Sequence, residues 1–199
     1  MSRDKVIIFW YNICMDKLKQ IKIDCENCKK CPLFKTKHNV VFSSGNESAK
    51  IFLIGEAPGH DEDMSGLPFV GMAGKILDKY LSLSEINRDK DLYISNIVKC
   101  RPPENRKPKI AEKQACLNYL EEQILTVNPT IIILCGGTAA ESFLGKVKMS
   151  DVHGKIFEIS VREKKYRAMP IYHPSPLCRV KDKEQIMVKD LSQIKKLVL

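Results

Sequence analysis

Residues 50–59 read KIFLIGEAPG, an apolar run that stops abruptly at residues suited to a turn. A short apolar run bounded by turn-forming residues indicates a strand that is buried on both faces of a sheet. Two later segments have the same character, DLYISNIV at 91–98 and TIIILC at 130–135. Between these strands, apolar residues at helical spacing predict helices at 71–83 and 109–127. The chain therefore alternates strands with helices.

This alternation favours an α/β fold in three layers, α/β/α, around a central, mainly parallel, four-stranded sheet. The fourth strand is expected near the C-terminus, where 155–160 and 166–172 suit either a hairpin or a final strand and its approach. Further helices are predicted at 3–24, 138–144 and 181–199. Ligand sites in such sheets lie beyond the carboxyl ends of the strands, so the loops after the strands are the expected functional segments.

The composition limits the class of protein. A length of 199 residues suits one compact domain. Lys and Arg number 33 against 24 Asp and Glu, a formal charge of +9. This charge fits a nucleic-acid partner, because neutralised phosphates release counterions, although a lysine-rich composition accounts for it equally well. No apolar run approaches the roughly 20 residues that span a bilayer, and no signal peptide is recognised, so an intracellular, cytoplasmic protein without a membrane partner is expected.

Eight cysteines are many for an intracellular chain of this size, and metal ligation is the expected use because disulfides are rare in a reducing compartment. Cys25, Cys28 and Cys31 form two overlapping C-x-x-C pairs. Cys100 and Cys116 lie on a loop and a helix that follow the second predicted strand. Four thiolates suit zinc or an iron–sulfur cluster, and the spacing does not choose between them. One of the three clustered cysteines is spare in any site with four ligands.

Other side chains suited to chemistry follow the predicted strands. The glycine-rich segment 55–74 contains Phe69, whose ring can stack on a flat ligand. Asn96 lies near the end of the second strand, and its amide matches the polar edge of uracil or adenine. His173 lies among prolines and can donate a hydrogen bond to a leaving group that gains negative charge. Each also has an ordinary interpretation, as a core aromatic, a capping residue or a surface imidazole.

Taken together, these segments resemble the family four uracil-DNA glycosylases, which carry an iron–sulfur cluster. The resemblance rests on four motifs in the same order and spacing: GEAPG at 55–59, EDMSGLPFVGMAG at 62–74, SNIVKCRPPENRKP at 95–108 and HPSP at 173–176. It extends over roughly residues 25–180 and is specific, because several long motifs agree at once.

The resemblance implies an enzyme that hydrolyses the N-glycosidic bond of uracil in DNA and so initiates base-excision repair, without lyase activity. Its partner is uracil-containing DNA, single- or double-stranded, and the chain is expected to be a monomer, with a sliding-clamp contact left open. It also implies a 4Fe–4S cluster held by Cys28, Cys31, Cys100 and Cys116, with Cys25 as a competing ligand. The whole of 1–199 is then one uracil-DNA glycosylase domain.

Within that domain, the N-terminal helix and cysteine loop occupy 1–37 and the catalytic α/β core occupies 38–199. Basic residues near the cysteines are candidates for phosphate contacts, although solvated lysines are the default interpretation. They are Lys29, Lys30, Lys35, Lys37, Arg101, Arg106, Lys107 and Lys109.

The resemblance also assigns a uracil pocket, with catalytic roles for Glu56 and His173. The expected pocket residues are Gly55, Glu56, Ala57, Glu62, Phe69, Asn96 and His173. By this assignment the 55–57 segment borders the base and sugar, Phe69 stacks on the uracil ring and Asn96 reads its polar edge. His173 then lies against O2, and Glu62 crowds the position of a thymine methyl group.

The chain departs from the family pattern at Pro176, where Ala or another residue is more usual. Leu177 and Arg179, which follow it, are candidates for strand separation or phosphate contact. Three other functions compete with uracil excision: a non-catalytic iron–sulfur module that binds nucleic acid, a glycosylase that also removes hypoxanthine or xanthine, and a thiol-redox protein. The last lacks a thioredoxin-like context around the C-x-x-C pairs.

Overall fold

The computed structural model describes residues 16–175 and 181–198, and these contain one six-stranded sheet with helices on both faces. The strands are β1 (Ser44–Gly45), β2 (Ile51–Gly55), β3 (Leu92–Asn96), β4 (Ile131–Cys135), β5 (Phe157–Val161) and β6 (Lys164–Ile171). The α-helices are α1 (16–26), α2 (His60–Ser65), α3 (Met72–Leu83), α4 (Arg88–Asp91), α5 (Ile110–Val127), α6 (Gly137–Leu144), α7 (Met149–Val152) and α8 (Lys181–Val198). Single 3-10 turns lie at Pro32–Lys35 and Pro103–Asn105.

The strand order across the sheet is β1-β3-β2-β4-β6-β5. The four inner strands run parallel, and β1 and β5 pair antiparallel at the two edges. The predicted fold class is therefore confirmed, but the predicted number of four strands is wrong by the two edge strands. β5 and β6 form a hairpin, which is one of the two arrangements expected for this region, and β5 is therefore an additional strand. β1 is a two-residue polar strand, which carries no hydrophobic pattern that a sequence could reveal.

Two cores cover the two faces of the sheet, because successive side chains of a strand point to opposite sides. Phe52 and Ile54 of β2 pack in one core with side chains of α1, α5 and α6. Ile51 and Leu53 pack in the other core with side chains of α3 and α8. This division confirms the three-layer arrangement.

Most predicted elements form close to their expected bounds, including α3, α5, α6 and α8. The N-terminal helix is described from residue 16 onward, and the rest of its predicted range lies outside the described residues. Pro176, Leu177 and Arg179 also lie outside them. None of the helices in the described ranges is both long enough and apolar enough to cross a membrane.

The segment after β2 contains the short helix α2, which no helical periodicity in the sequence predicts. The Glu62 carboxylate caps the start of this helix by accepting a hydrogen bond from the Gly59 N–H at 3.0 Å. Acidic residues in its first turn are favourable beside the positive end of the helix dipole. The helix ends at Gly66, whose φ of 75° lies in the left-handed region that favours glycine.

The carboxyl ends of the inner strands lie along one edge of the sheet. Gly55 at the end of β2 is paired with Asn96 at the end of β3. Ile171 at the end of β6 is paired with Cys135 at the end of β4. The chain leaves β2 for β3 on one side and later returns to β4 on the other, which is the topology that opens a crevice at this edge.

Candidate active site

A cavity of about 350 Å³ opens at the carboxyl edge of the sheet. The residues predicted for the pocket that line it are Glu56, Ala57, Glu62, Phe69, Asn96 and His173. They come from three segments far apart in the chain, so the predicted convergence of these segments is what the structure shows. The wall also contains residues that the sequence did not assign to the pocket: Pro102, Asn105, Arg106 and Ser175. Pro102, Asn105 and Arg106 lie in the proline-rich run directly after β3, and that run was the sequence feature that could have indicated them.

Gly55 lies behind this wall. A Cβ atom at position 55 would lie 2.3 Å from the Asn96 side-chain oxygen and 2.7 Å from the Phe69 ring. Both distances are far below contact distance, so only glycine lets these two side chains occupy their positions. The expected position of Gly55 beside the base and sugar stays a prediction, and its lack of a side chain leaves room for Asn96 and Phe69.

Phe69 has an unusual backbone conformation. Its φ is 54°, in the left-handed region that bulky residues rarely adopt, and such strain collects at functional sites. Gly74 makes this conformation possible, because a Cβ there would lie 1.9 Å from the Phe69 carbonyl oxygen. The Phe69 ring lies 6.2 Å from the His173 ring, centroid to centroid, with a tilt of 33°. The two rings therefore flank part of the same cavity.

The loop that carries Phe69 is tied together by Glu62. One carboxylate oxygen of Glu62 accepts from the Gly59 N–H, and the other accepts from the N–H groups of Val70 at 3.2 Å and Gly71 at 2.9 Å. Three backbone N–H groups donate to one buried carboxylate, so Glu62 stabilises the conformation of the segment 59–71. Its expected contact with a thymine methyl group stays a prediction.

The surroundings of His173 favour the neutral imidazole. Burial lowers the pKa of its imidazole below the usual value, and the nearby carboxylates of Glu56 and Glu62 oppose this only in part. The Ser175 N–H donates to Nδ1 of His173 at 3.3 Å. With Nδ1 acting as an acceptor, the proton of the neutral ring resides on Nε2.

Asn96 is the least exposed polar residue in the cavity wall, at 2% and at the end of β3. Its backbone carbonyl accepts a hydrogen bond from the ammonium group of Lys99 at 2.7 Å. Glu56 lies one residue beyond β2, where its backbone carbonyl accepts from the Val98 N–H at 3.3 Å. The segments after β2 and β3 are thus joined beyond the sheet.

Five cysteines line a second, small pocket of about 20 Å³ behind this edge. They are Cys25, Cys28, Cys31, Cys100 and Cys116, together with Lys99 and Tyr119. Burial raises the pKa of the Cys100 thiol to about 12, with a further increase from the neighbouring Cys116. Within 16–175 and 181–198, no three His, Cys, Asp or Glu side chains are grouped as a site for a single metal ion.

Comparison with known proteins shows the family of the chain. Residues 42–195 match the sequence model of the Uracil DNA glycosylase superfamily. The chain is 42% identical over 166 residues to the Type-4 uracil-DNA glycosylase of Archaeoglobus fulgidus, a match that covers 81% of this chain and 83% of that protein. It is 39% identical over 177 residues to the Type-4 enzyme of Thermotoga maritima, covering 87% and 90%.

The Type-4 uracil-DNA glycosylase of Sulfurisphaera tokodaii is 36% identical over 191 residues, covering 93% of this chain and 86% of that protein. The family match at residues 42–195 includes both the loops of the cavity and the sheet that positions them. The chain therefore belongs to the uracil-DNA glycosylase superfamily.

Proposed function

We propose that this protein hydrolyses the N-glycosidic bond between uracil and deoxyribose in DNA, and so begins base-excision repair. The observation that carries the proposal is the convergence of Phe69, Asn96 and His173 on one cavity, with Phe69 and Asn96 packed against Gly55. A flipped base is bound by stacking and by hydrogen bonds to its polar edge, and these residues supply an aromatic ring, an amide and an imidazole. The substrate is uracil-containing DNA, single- or double-stranded, and the protein acts as a monomer inside the cell with the chromosome.

The target nucleotide must leave the base stack, because its glycosidic bond is inaccessible within a duplex. Phe69 then stacks on the uracil ring, and the Asn96 amide reads the polar edge of the base. Ala57 borders the base and sugar. Glu62 keeps the loop rigid, so that a base with a methyl group at C5 clashes with the cavity wall and is excluded.

Bond cleavage leaves negative charge on uracil and positive charge on the sugar. The Nε2–H of His173 donates to uracil O2 and stabilises the developing anion, as a preorganised donor in a buried site does. Glu56 supplies a carboxylate that stabilises the sugar cation or orients the attacking water. Water attacks C1′, and the products are free uracil and an abasic site. No lysine is placed as a Schiff-base nucleophile in this scheme, so strand cleavage by the enzyme itself is not expected.

The cysteine pocket fits a 4Fe–4S cluster, which takes four thiolates as ligands. Cys28 and Cys31 from the N-terminal loop, Cys100 after β3 and Cys116 on α5 are the proposed ligands. Such a cluster takes one thiolate on each of its four irons, and all four proposed thiols line the same pocket. When bound, the cluster ties together the loops beside the cavity and takes no part in bond cleavage.

The proposal is tested with anaerobically purified protein and oligonucleotides that contain one uracil or one thymine. Alkali treatment should give a cleaved band at uracil only, and no band should appear without alkali. No cleavage by protein with intact iron–sulfur absorption would reject the proposal in favour of a nucleic-acid-binding module. Equal release of hypoxanthine or xanthine would widen the substrate range.

A further inference from the structure

The rim of the cavity is formed by a strained loop. Glu104 and Asn105 are consecutive residues with left-handed backbone, at φ values of 55° and 54°. Pro102 and Asn105 both line the cavity. The Arg101 Nε–H donates to the Asn105 side-chain oxygen at 2.7 Å, which braces the turn from within. Two adjacent residues keep strained backbone conformations only where the surrounding contacts stabilise them. The turn formed by these two residues places Arg106 in the cavity wall.

Arg106 is held in one orientation by a buried acceptor. Its Nη1 and Nη2 groups donate to the two carboxylate oxygens of Glu112 at 2.8 Å and 2.6 Å, and Nη1 also donates to the Lys107 carbonyl at 3.0 Å. Glu112 is only 3% exposed, and its pKa is lowered chiefly by Arg106. Glu112 also caps α5 by accepting from the Lys109 N–H at 2.7 Å. The guanidinium is therefore fixed relative to the start of α5.

This arrangement leaves one edge of the guanidinium available. Nη1 and one N–H of Nη2 are engaged, while among the described residues Nε–H and the second Nη2–H have no acceptor. These two donors lie side by side on the same edge of the planar group, in the fork that matches two oxygens of a phosphate. The Arg106 side chain is 35% exposed, so this edge is accessible from solvent.

We propose that Arg106 is a phosphate-binding residue that grips a phosphate flanking the extruded nucleotide. The inference rests on the proposed function for the identity of the substrate. The guanidinium lines the same cavity as Glu56 and His173, so a phosphate bound there fixes the sugar relative to the groups that act on the glycosidic bond. The Glu112 carboxylate holds the guanidinium in the orientation that presents the free fork, and Arg106 is thereby distinguished from the exposed lysines beside it.

The test uses oligonucleotides in which one phosphate is replaced by a neutral methylphosphonate, either 5′ or 3′ to the uracil or four nucleotides away. Wild-type protein should lose about tenfold in single-turnover excision or in binding when one of the flanking linkages is neutral. The distant replacement should have little effect. Arg106→Gln should lose a similar factor on ordinary DNA and then show no further loss at that flanking linkage.

Lys107→Gln is the matched control, because Lys107 is exposed and adjacent but does not line the cavity. It should weaken binding slightly and keep the full sensitivity to the flanking methylphosphonate. Arg106→Lys, which keeps the charge without the fork, should recover only part of the affinity. Arg106→Gln also leaves the Glu112 carboxylate without its partner. Melting curves measure the resulting loss of stability, and the double variant Arg106→Gln/Glu112→Gln removes the unpaired charge, so that the loss of the phosphate contact is measured by itself.

Two results would overturn the inference: an Arg106→Gln protein as sensitive as wild type to the flanking replacements, or a wild type indifferent to both of them. The binding measurement needs no excision. Absence of uracil release from ordinary DNA by wild type therefore marks failure of the proposed function, while the phosphate contact is still decided by the binding data.

Discussion

The buried ammonium group of Lys99 donates a 2.7 Å hydrogen bond to the backbone carbonyl of Asn96. Lys99 is 0% exposed and also donates to the Ser95 hydroxyl at 2.7 Å. Burial lowers the pKa of its ammonium group to about 8, while the neighbouring thiols of Cys116 and Cys25 act in the opposite direction. Lys99 thus connects the cysteine pocket to the residue proposed to read the base.

Replacing this lysine should therefore affect catalysis more than substrate binding. In Lys99→Met the carbonyl of Asn96 loses its donor, and an unsatisfied buried acceptor costs about 1–3 kcal/mol. We expect kcat to fall about tenfold with little change in KM, as measured by steady-state excision. Lys90→Met, at an exposed position, is the control. A lower melting temperature with unchanged kcat would show that Lys99 only stabilises the fold.

Gly55→Ala should abolish most excision while leaving the protein folded. The added methyl group would lie 2.3 Å from the Asn96 side-chain oxygen, so Asn96 and Phe69 must both shift. Overpacking of this kind typically costs about 1–3 kcal/mol, which thermal unfolding can measure beside an excision assay.

Gly137→Ala is the matched control, because the nearest atom to a Cβ there is 4.0 Å away and the residue begins α6. It should leave excision unchanged and stability equal or slightly higher. Normal activity in Gly55→Ala would show that the pocket tolerates the displacement of Asn96 and Phe69.

Asn96→Ala should reduce excision far more than DNA binding. The amide is expected to contact only the flipped base, whereas most of the affinity for DNA comes from phosphates. Single-turnover excision and fluorescence anisotropy measure the two effects separately. Asn118→Ala, on the surface of α5, should change neither. An equal loss of excision and of binding in Asn96→Ala would exclude a base-reading role.

Excision should decline in acid because the neutral form of His173 is the proposed donor. Burial lowers its pKa below the ordinary range of an imidazole, so the ring stays neutral until the pH falls below that range. The unfolded chain binds this proton first, so the contribution of His173 to stability is present above the unfolded pKa and is lost as pH falls through the folded pKa. A pH profile of kcat should show this acid limb, and His173→Gln should lack it. An identical limb in His173→Gln would assign the titration to another group.

Cys28→Ala should lose the brown colour and melt at a lower temperature, because one proposed thiolate ligand is removed. Cys25→Ala should keep the full iron content, since Cys25 is not among the four proposed ligands. Iron analysis and visible absorption give the readout. Full iron in Cys28→Ala, together with loss in Cys25→Ala, would assign the ligand to Cys25.

Much of the architecture follows from local sequence patterns. The apolar runs of β2, β3 and β4 are buried on both faces, as continuous hydrophobic strands require, and α3 and α5 follow their helical periodicity. The parallel order then brings the strand ends to one edge. The polar strand β1 and the short helix α2 escaped prediction, because pairing with β3 and the cap from Glu62 stabilise them.

The sequence by itself determined the class of fold, the motifs of the family and the edge where the site lies. Only the tertiary structure decided that Asn96 and Phe69 pack against Gly55, and that two hydrogen bonds to Glu112 orient the Arg106 guanidinium. Hydrophobic periodicity acts between neighbours along the chain, whereas these positions depend on distances of a few ångströms between side chains brought together by the folded sheet.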